Sequence, residues 1–86
     1  MNKIVIEFLG TMLLSLVRSL MSNAYITGTT FILLKVLTHS LSSFNPAFTI
    51  VMLIERKISQ TNAIQSILAQ IVGAIFGFLI YKIVHK

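Results

Sequence analysis

The stretch SLSSFNPAFTIVMLIERK, residues 40–57, sets an Asn-Pro pair between long apolar runs, and its reading decides the fold. An Asn side chain caps a helix start, and Pro suits the first helical position, where its missing N–H would have no intrahelical partner. Pro46 to Ile54 therefore reads as a short helix that begins abruptly after Asn45. At about 1.5 Å of rise per residue, such a helix reaches about half of a ~30 Å hydrocarbon core. Ser40, Ser42, Ser43 and Asn45 make the approach to it polar. Irregular polar backbone survives at membrane depth only where protein or water satisfies it. A surface amphipathic helix is the alternative, but PAFTIVMLI is apolar nearly all round and not on one face. The pattern is that of a re-entrant segment: polar chain descends to the midplane, and a half-helix returns to the same side.

The rest of the chain supplies the setting. Of 86 residues, 56% are hydrophobic and 10% are charged, against about a quarter charged in a typical soluble domain. So short and apolar a chain has too little polar surface to cover itself in water, and a bilayer is its natural solvent. The net charge of +5 comes from scattered Lys and Arg with no basic stripe. That distribution suits headgroup anchoring and gives nucleic acid no footprint to bind. With no Cys, disulfides and thiol ligands are excluded. No His, Asp or Glu cluster has metal-ligand spacing and no nucleophile stands near a base, so neither a metal, a cofactor nor an enzyme activity is expected.

Three further apolar segments are expected as helices over residues 4–20, 24–38 and 60–84, with the re-entrant loop and half-helix over 40–54, all in one domain covering 1–86. The first, MNKIVIEFLGTMLLSLV, starts like a signal peptide, but Glu7 interrupts the run and no small-residue cleavage site follows. It reads as a mature spanning helix. The first two segments are short for a span, so they stand upright or thin the membrane locally. Gly73 and Gly77 form a GxxxG pair, which lets helices approach closely.

SLSSFNPAFT resembles the first Asn-Pro-Ala motif of the aquaporin and glycerol-facilitator (major intrinsic protein) family. EFLGTMLL, residues 7–14, is similar to that family's first helix, and AQIVGAIFGFLIY, residues 69–81, to its third. The three motifs occur in the family's order and cover nearly the whole chain. The resemblance implies an all-α membrane fold of three transmembrane helices plus one re-entrant half-helix, which is one half of an aquaporin-like protein. Family members carry two such halves, inverted relative to each other. This sequence carries one, so the expected partner is a second copy, paired as an antiparallel homodimer and inserted in both orientations. Several such pores are expected in a larger oligomer. Taking the family arrangement, Lys3, Lys35, Arg56 and Lys57 lie on the loop side and Arg18, Lys82 and Lys86 on the other. Orientation follows Lys/Arg bias, and this distribution permits both.

The implied function is a passive channel for water or small neutral solutes such as glycerol. Its pore midpoint is Asn45, Pro46 and Ala47, where two positive half-helix ends meet and two Asn amides hold a solute oxygen. Backbone carbonyls of Ser40, Leu41, Ser43 and Phe44 are expected along one wall, with apolar side chains on the other. The family's constriction carries over to Tyr25, Leu33, Ser42 and Phe48, the last standing where the family has an Arg. Glu7, which needs a partner at membrane depth, is expected to brace the loop, and Gln70 to pack against the same loop. A non-conducting membrane interaction protein that retains the fold, and one half of a heteromeric pore, are the alternatives.

Overall fold

The computed structural model describes residues 2–38 and 42–85, which form four helices and no strand. Each helix starts at a side chain that accepts an otherwise unpaired N–H. Asn2 Oδ1 accepts from Ile4 N at 2.7 Å and opens α1, Lys3–Leu20. Met21 to Asn23 reverse the chain, and Asn23 Oδ1 then accepts from Tyr25 N at 2.8 Å and Ile26 N at 3.2 Å to open α2, Ala24–Leu37. Asn45 Oδ1 takes the N–H of Ala47 at 2.8 Å at the head of α3, Pro46–Ile54. Ser59 Oγ takes the N–H of Asn62 at 3.1 Å at the head of α4, Gln60–Val84.

α3 is stopped by its own C-terminal hydrogen bonds. Lys57 N donates to Met52 O at 2.9 Å and Arg56 N to Leu53 O at 3.0 Å, and Arg56 has φ of 61°. This is a Schellman ending with Arg in the left-handed position usually given to Gly.

α1 and α4 form the frame. Gly73 lies against the Phe8 carbonyl and Gly77 against the Met12 carbonyl. Both numbers rise together, so the two helices run parallel. Ser15 Oγ donates to the Ala74 carbonyl at 2.6 Å across the same crossing, and the Phe8 and Phe76 rings meet edge to face at 5.6 Å. The buried positions of α4 are Ala63, Ser66, Ala69, Gln70, Gly73 and Gly77, a stripe of mostly small residues along one face. Small side chains let backbones approach, which is how helices associate in lipid. α2 touches only α1, and α3 touches α4.

The parallel run of α1 and α4 fixes what lies between them. α1 crosses the bundle one way and α2 returns. The start of α4 stands beside the start of α1, with Asn2 and Lys3 against Asn62, Gln65 and Ser66. The chain thus leaves α2 and enters α4 at the same end of the bundle, and α3 does not traverse it.

The interior is polar and the exterior apolar. Among the described residues, Glu7, Thr11, Ser42, Ser43, Thr49, Ser66 and Gln70 are buried, while Phe44, Ala63 and Ala69 are the buried hydrophobic residues. Large aliphatic and aromatic side chains on all four helices point outward. Water would penalise that surface, whereas lipid accepts it and drives polar groups inward to partners. By length and composition α4 is the helix able to cross a membrane. α1, with 18 residues, carries Lys3, Glu7 and Arg18, and α2 has only 14 residues.

Candidate functional site

The loop before α3 is held from two sides. On α1, Glu7 Oε1 accepts the Phe44 backbone N–H at 2.9 Å. One turn on, Gly10 leaves the space that the Phe44 ring fills, since a Cβ there would overlap the ring. Phe44 has φ of 55°, a conformation that L side chains rarely adopt, and it is buried. The hydrogen bond and the ring socket together hold that conformation. Gly10 lies near the middle of α1, so Phe44 and Asn45 stand at about half the depth of the bundle.

On α4, Gln70 Nε2 lies 2.9 Å from Glu7 Oε2, 2.9 Å from Thr49 Oγ1 and 3.1 Å from Ser43 Oγ. The amide has two protons: one goes to the Glu7 carboxyl, and the two hydroxyls share the other. Ser43 and Thr49 hydroxyls bond each other at 2.6 Å, and each reaches the Asn45 carbonyl, at 3.2 and 3.1 Å. With its nitrogen on Glu7, the Gln70 Oε1 has no partner. The reverse orientation would aim that oxygen at a carboxyl oxygen, which is worse. Glu7 and Gln70 are each 1% exposed. This buried network joins α1, the loop, α3 and α4.

Asn45 and Pro46 are half-buried at the head of α3, and Ala47 and Phe48 are exposed. The Asn45 carbonyl and Oδ1 are both engaged, by the hydroxyls and by the helix start. Asn45 also lines a groove of about 470 Å³ with Thr11, Arg18, Thr27, Phe31 and Phe44. The groove therefore connects the half-helix head to the last turn of α1, and Thr11 and Thr27 put hydroxyl-bearing residues among its apolar ones.

The constriction candidates are dispersed within one chain. Tyr25 is 86% exposed at the start of α2, and Leu33 is exposed further along that helix. α2 and α3 make no contact, so Leu33 and Phe48 stand apart. Ser42 is 0% exposed, with its hydroxyl unpartnered and its carbonyl accepting from Lys35 Nζ at 2.7 Å. Ser43 and Phe44 turn their side chains into the network and the Gly10 socket. Ser40 and Leu41 lie outside the described residues. Among the described residues no three His, Cys, Asp or Glu side chains gather as metal ligands.

Sequence reading did not single out Gly10, Thr49 or the Lys35 contact. Gly10 had a signal, because it lies one turn from Glu7 on the same face of α1. Thr49 had a weaker one, its place four residues after Asn45. The Lys35 contact had none, since it joins a helix to a loop.

A family model described as Major intrinsic protein matches residues 20–86. The match spans α2, the loop with its half-helix, and α4. The chain belongs to the major intrinsic protein family. Major intrinsic proteins are integral membrane channels for water or small solutes and are not enzymes, which fits a chain with an apolar exterior and a buried polar network. Comparison with curated proteins and with solved structures found no significant match.

Proposed function

We propose that this major intrinsic protein supplies one half of a passive channel for water or small neutral solutes such as glycerol. α1, α2 and α4 span the membrane, and α3 is a re-entrant half-helix. The observation that carries the reading is the Asn45-capped α3, whose head is held near mid-depth by Glu7 and Gln70. A nine-residue helix covers about half the hydrocarbon thickness. A second half-helix from the opposite side completes the path, and an antiparallel second copy is the simplest source. Inverted pairing of this kind builds binding sites at the midplane of many transporters. In the family arrangement Lys3, Lys35, Arg56 and Lys57 fall on the loop side and Arg18, Lys82 and Lys86 on the other, four against three, which permits both orientations.

At the junction two Asn45 side chains and two positive helix ends face a solute oxygen. They stabilise a lone pair and repel a cation. Asn45, Pro46 and Ala47 form the midpoint, and Ala47 keeps the approach of the two heads small. Tyr25 of one copy and Leu33, Ser42 and Phe48 of the other frame each mouth, with Ser42 lying beneath Lys35, whose Nζ bonds its carbonyl. An uncharged aromatic frame admits a polyol as well as water.

The test is stopped-flow light scattering of liposomes reconstituted with the purified chain, after an osmotic step, with Asn45→Asp alongside. Water or glycerol flux well above empty liposomes, altered by Asn45→Asp, supports the reading. Flux equal to that of empty liposomes, with inserted and oligomeric protein, overturns it and leaves a non-conducting membrane protein or a heteromeric pore.

A further inference from the structure

The Lys35–Ser42 contact has no part in the network that holds the half-helix. Lys35 stands in the last turn of α2, and its Nζ donates to the Ser42 carbonyl at 2.7 Å, a length typical of a charge-assisted hydrogen bond. The ammonium is partly buried there, and Ser42 has no exposed surface. Three residues on, Asn45 caps α3. The contact thus lies on the chain's descent to the half-helix, where backbone carbonyls must replace a solute's lost water.

Hydrogen-bond partners differ across this short segment. Phe44 and Ser43 are tied to Glu7, Gln70 and Thr49 by buried hydrogen bonds. Ser42 has no such tie, because its hydroxyl is unpartnered and its carbonyl is bonded to a side chain on a four-carbon flexible stem. The backbone of α2 approaches α1 and not α3 or α4, and the Lys35–Ser42 bond ties the end of α2 to the loop.

From this geometry we propose that Lys35 sets the rate at the loop-side mouth by competing with the permeating solute for the Ser42 carbonyl. The proposal rests on the channel reading above and adds a residue to it. While the ammonium is seated, it takes one of the carbonyl's two lone pairs and Ser42 has no exposed surface, so water or a solute hydroxyl does not reach the other. When the ammonium swings to headgroup water, the carbonyl is freed and the mouth widens. Lys35 is a positioning residue of the mouth whose charge holds it in the closed place.

A mere tether and a competitor predict opposite signs. Lys35→Met keeps the length of the side chain and removes the donor; Lys35→Arg keeps a donor. Osmotic water and glycerol permeability of reconstituted liposomes is measured for wild type and both variants, with its temperature dependence and with detergent-phase thermal unfolding. Lys35→Met is expected to raise permeability at least threefold and to lower its activation energy, while Lys35→Arg stays within twofold of wild type. A conducting wild type with Lys35→Met equal or slower overturns the proposal and leaves the channel reading standing. A drop in both permeability and unfolding temperature identifies Lys35 as a structural tether and also overturns it. No flux from wild type or Lys35→Met overturns both readings.

Discussion

The Glu7 carboxyl accepts the backbone N–H of Phe44 at 2.9 Å across 37 positions of sequence, and its second oxygen accepts from Gln70. One side chain on α1 therefore joins the loop to α4. Removing it orphans two buried donors, each worth about 1–3 kcal/mol when left unpaired. Glu7→Ala should lower the thermal unfolding temperature in detergent markedly and abolish flux. Glu7→Gln retains one acceptor and should lose less stability. Equal stability of wild type and Glu7→Ala would contradict a bracing role.

Gly10 offers a more local probe. A methyl group there overlaps the Phe44 ring, so Gly10→Ala must displace the ring or the loop. Overpacking of this kind costs about 1–3 kcal/mol. Ala also favours helix over Gly by about 1 kcal/mol, so α1 itself should gain. The expected result is undiminished helix content by circular dichroism together with reduced flux. Unchanged flux would mean that the ring socket is not needed to aim Asn45.

At Gly73 the neighbour is backbone, which cannot rotate away. A Cβ would meet the Phe8 carbonyl, and at Gly77 the Met12 carbonyl. Gly73→Val should push α1 and α4 apart, break the Ser15–Ala74 hydrogen bond and pull Gln70 from Glu7. A loss of at least about 2 kcal/mol is expected, read as a lower unfolding temperature in detergent. Gly28, whose Cβ would meet nothing nearby, is the matched control: Gly28→Ala should be neutral or slightly stabilising.

The end of α3 is where the chain can be improved. Arg56 holds φ of 61° with its side chain exposed. A left-handed conformation costs a non-Gly residue about 1–2 kcal/mol. Arg56→Gly should therefore raise stability by about 1 kcal/mol, seen as a higher unfolding temperature, without altering the Schellman bonds. A lower unfolding temperature would show that the Arg56 side chain supplies a compensating contact.

Much of this was written locally in the sequence. The start of the half-helix was legible because Asn45 carries a capping oxygen at the edge of an apolar run, and a cap acts within three residues. Asn23 and Ser59 cap α2 and α4 in the same way but were not singled out. The half-helix was legible because Pro46 marks its start and a nine-residue helix cannot span a bilayer. The Gly73–Gly77 pair announced a close crossing, though not that α1 would fill it. Long-range partners were hidden. Nothing local says that Thr49 and Ser43 share the Gln70 amide, that Phe44 sits in a left-handed conformation under Gly10, or that Ser42 turns its hydroxyl inward and gives its carbonyl to Lys35. Each depends on how α1, α4 and the loop come together in space. The spanning role of α1 and α2 was read from their apolar runs and agrees with the family pattern, but their charges and short lengths leave α4 as the helix that is long and apolar enough by itself.

The central claim is that two α3 heads meet at the membrane midplane. The chain has no Cys, so a single Ala47→Cys substitution places one thiol beside each Asn45, on an exposed position at the head of α3. The direct measurement is cross-linking of Ala47→Cys in membranes with a mild lipid-soluble oxidant, against Leu68→Cys on the exposed face of α4. Efficient covalent dimer from Ala47→Cys, many times that from Leu68→Cys, is the predicted result. No dimer from Ala47→Cys, or no more than from Leu68→Cys, would contradict the pairing of half-helices in a single pore.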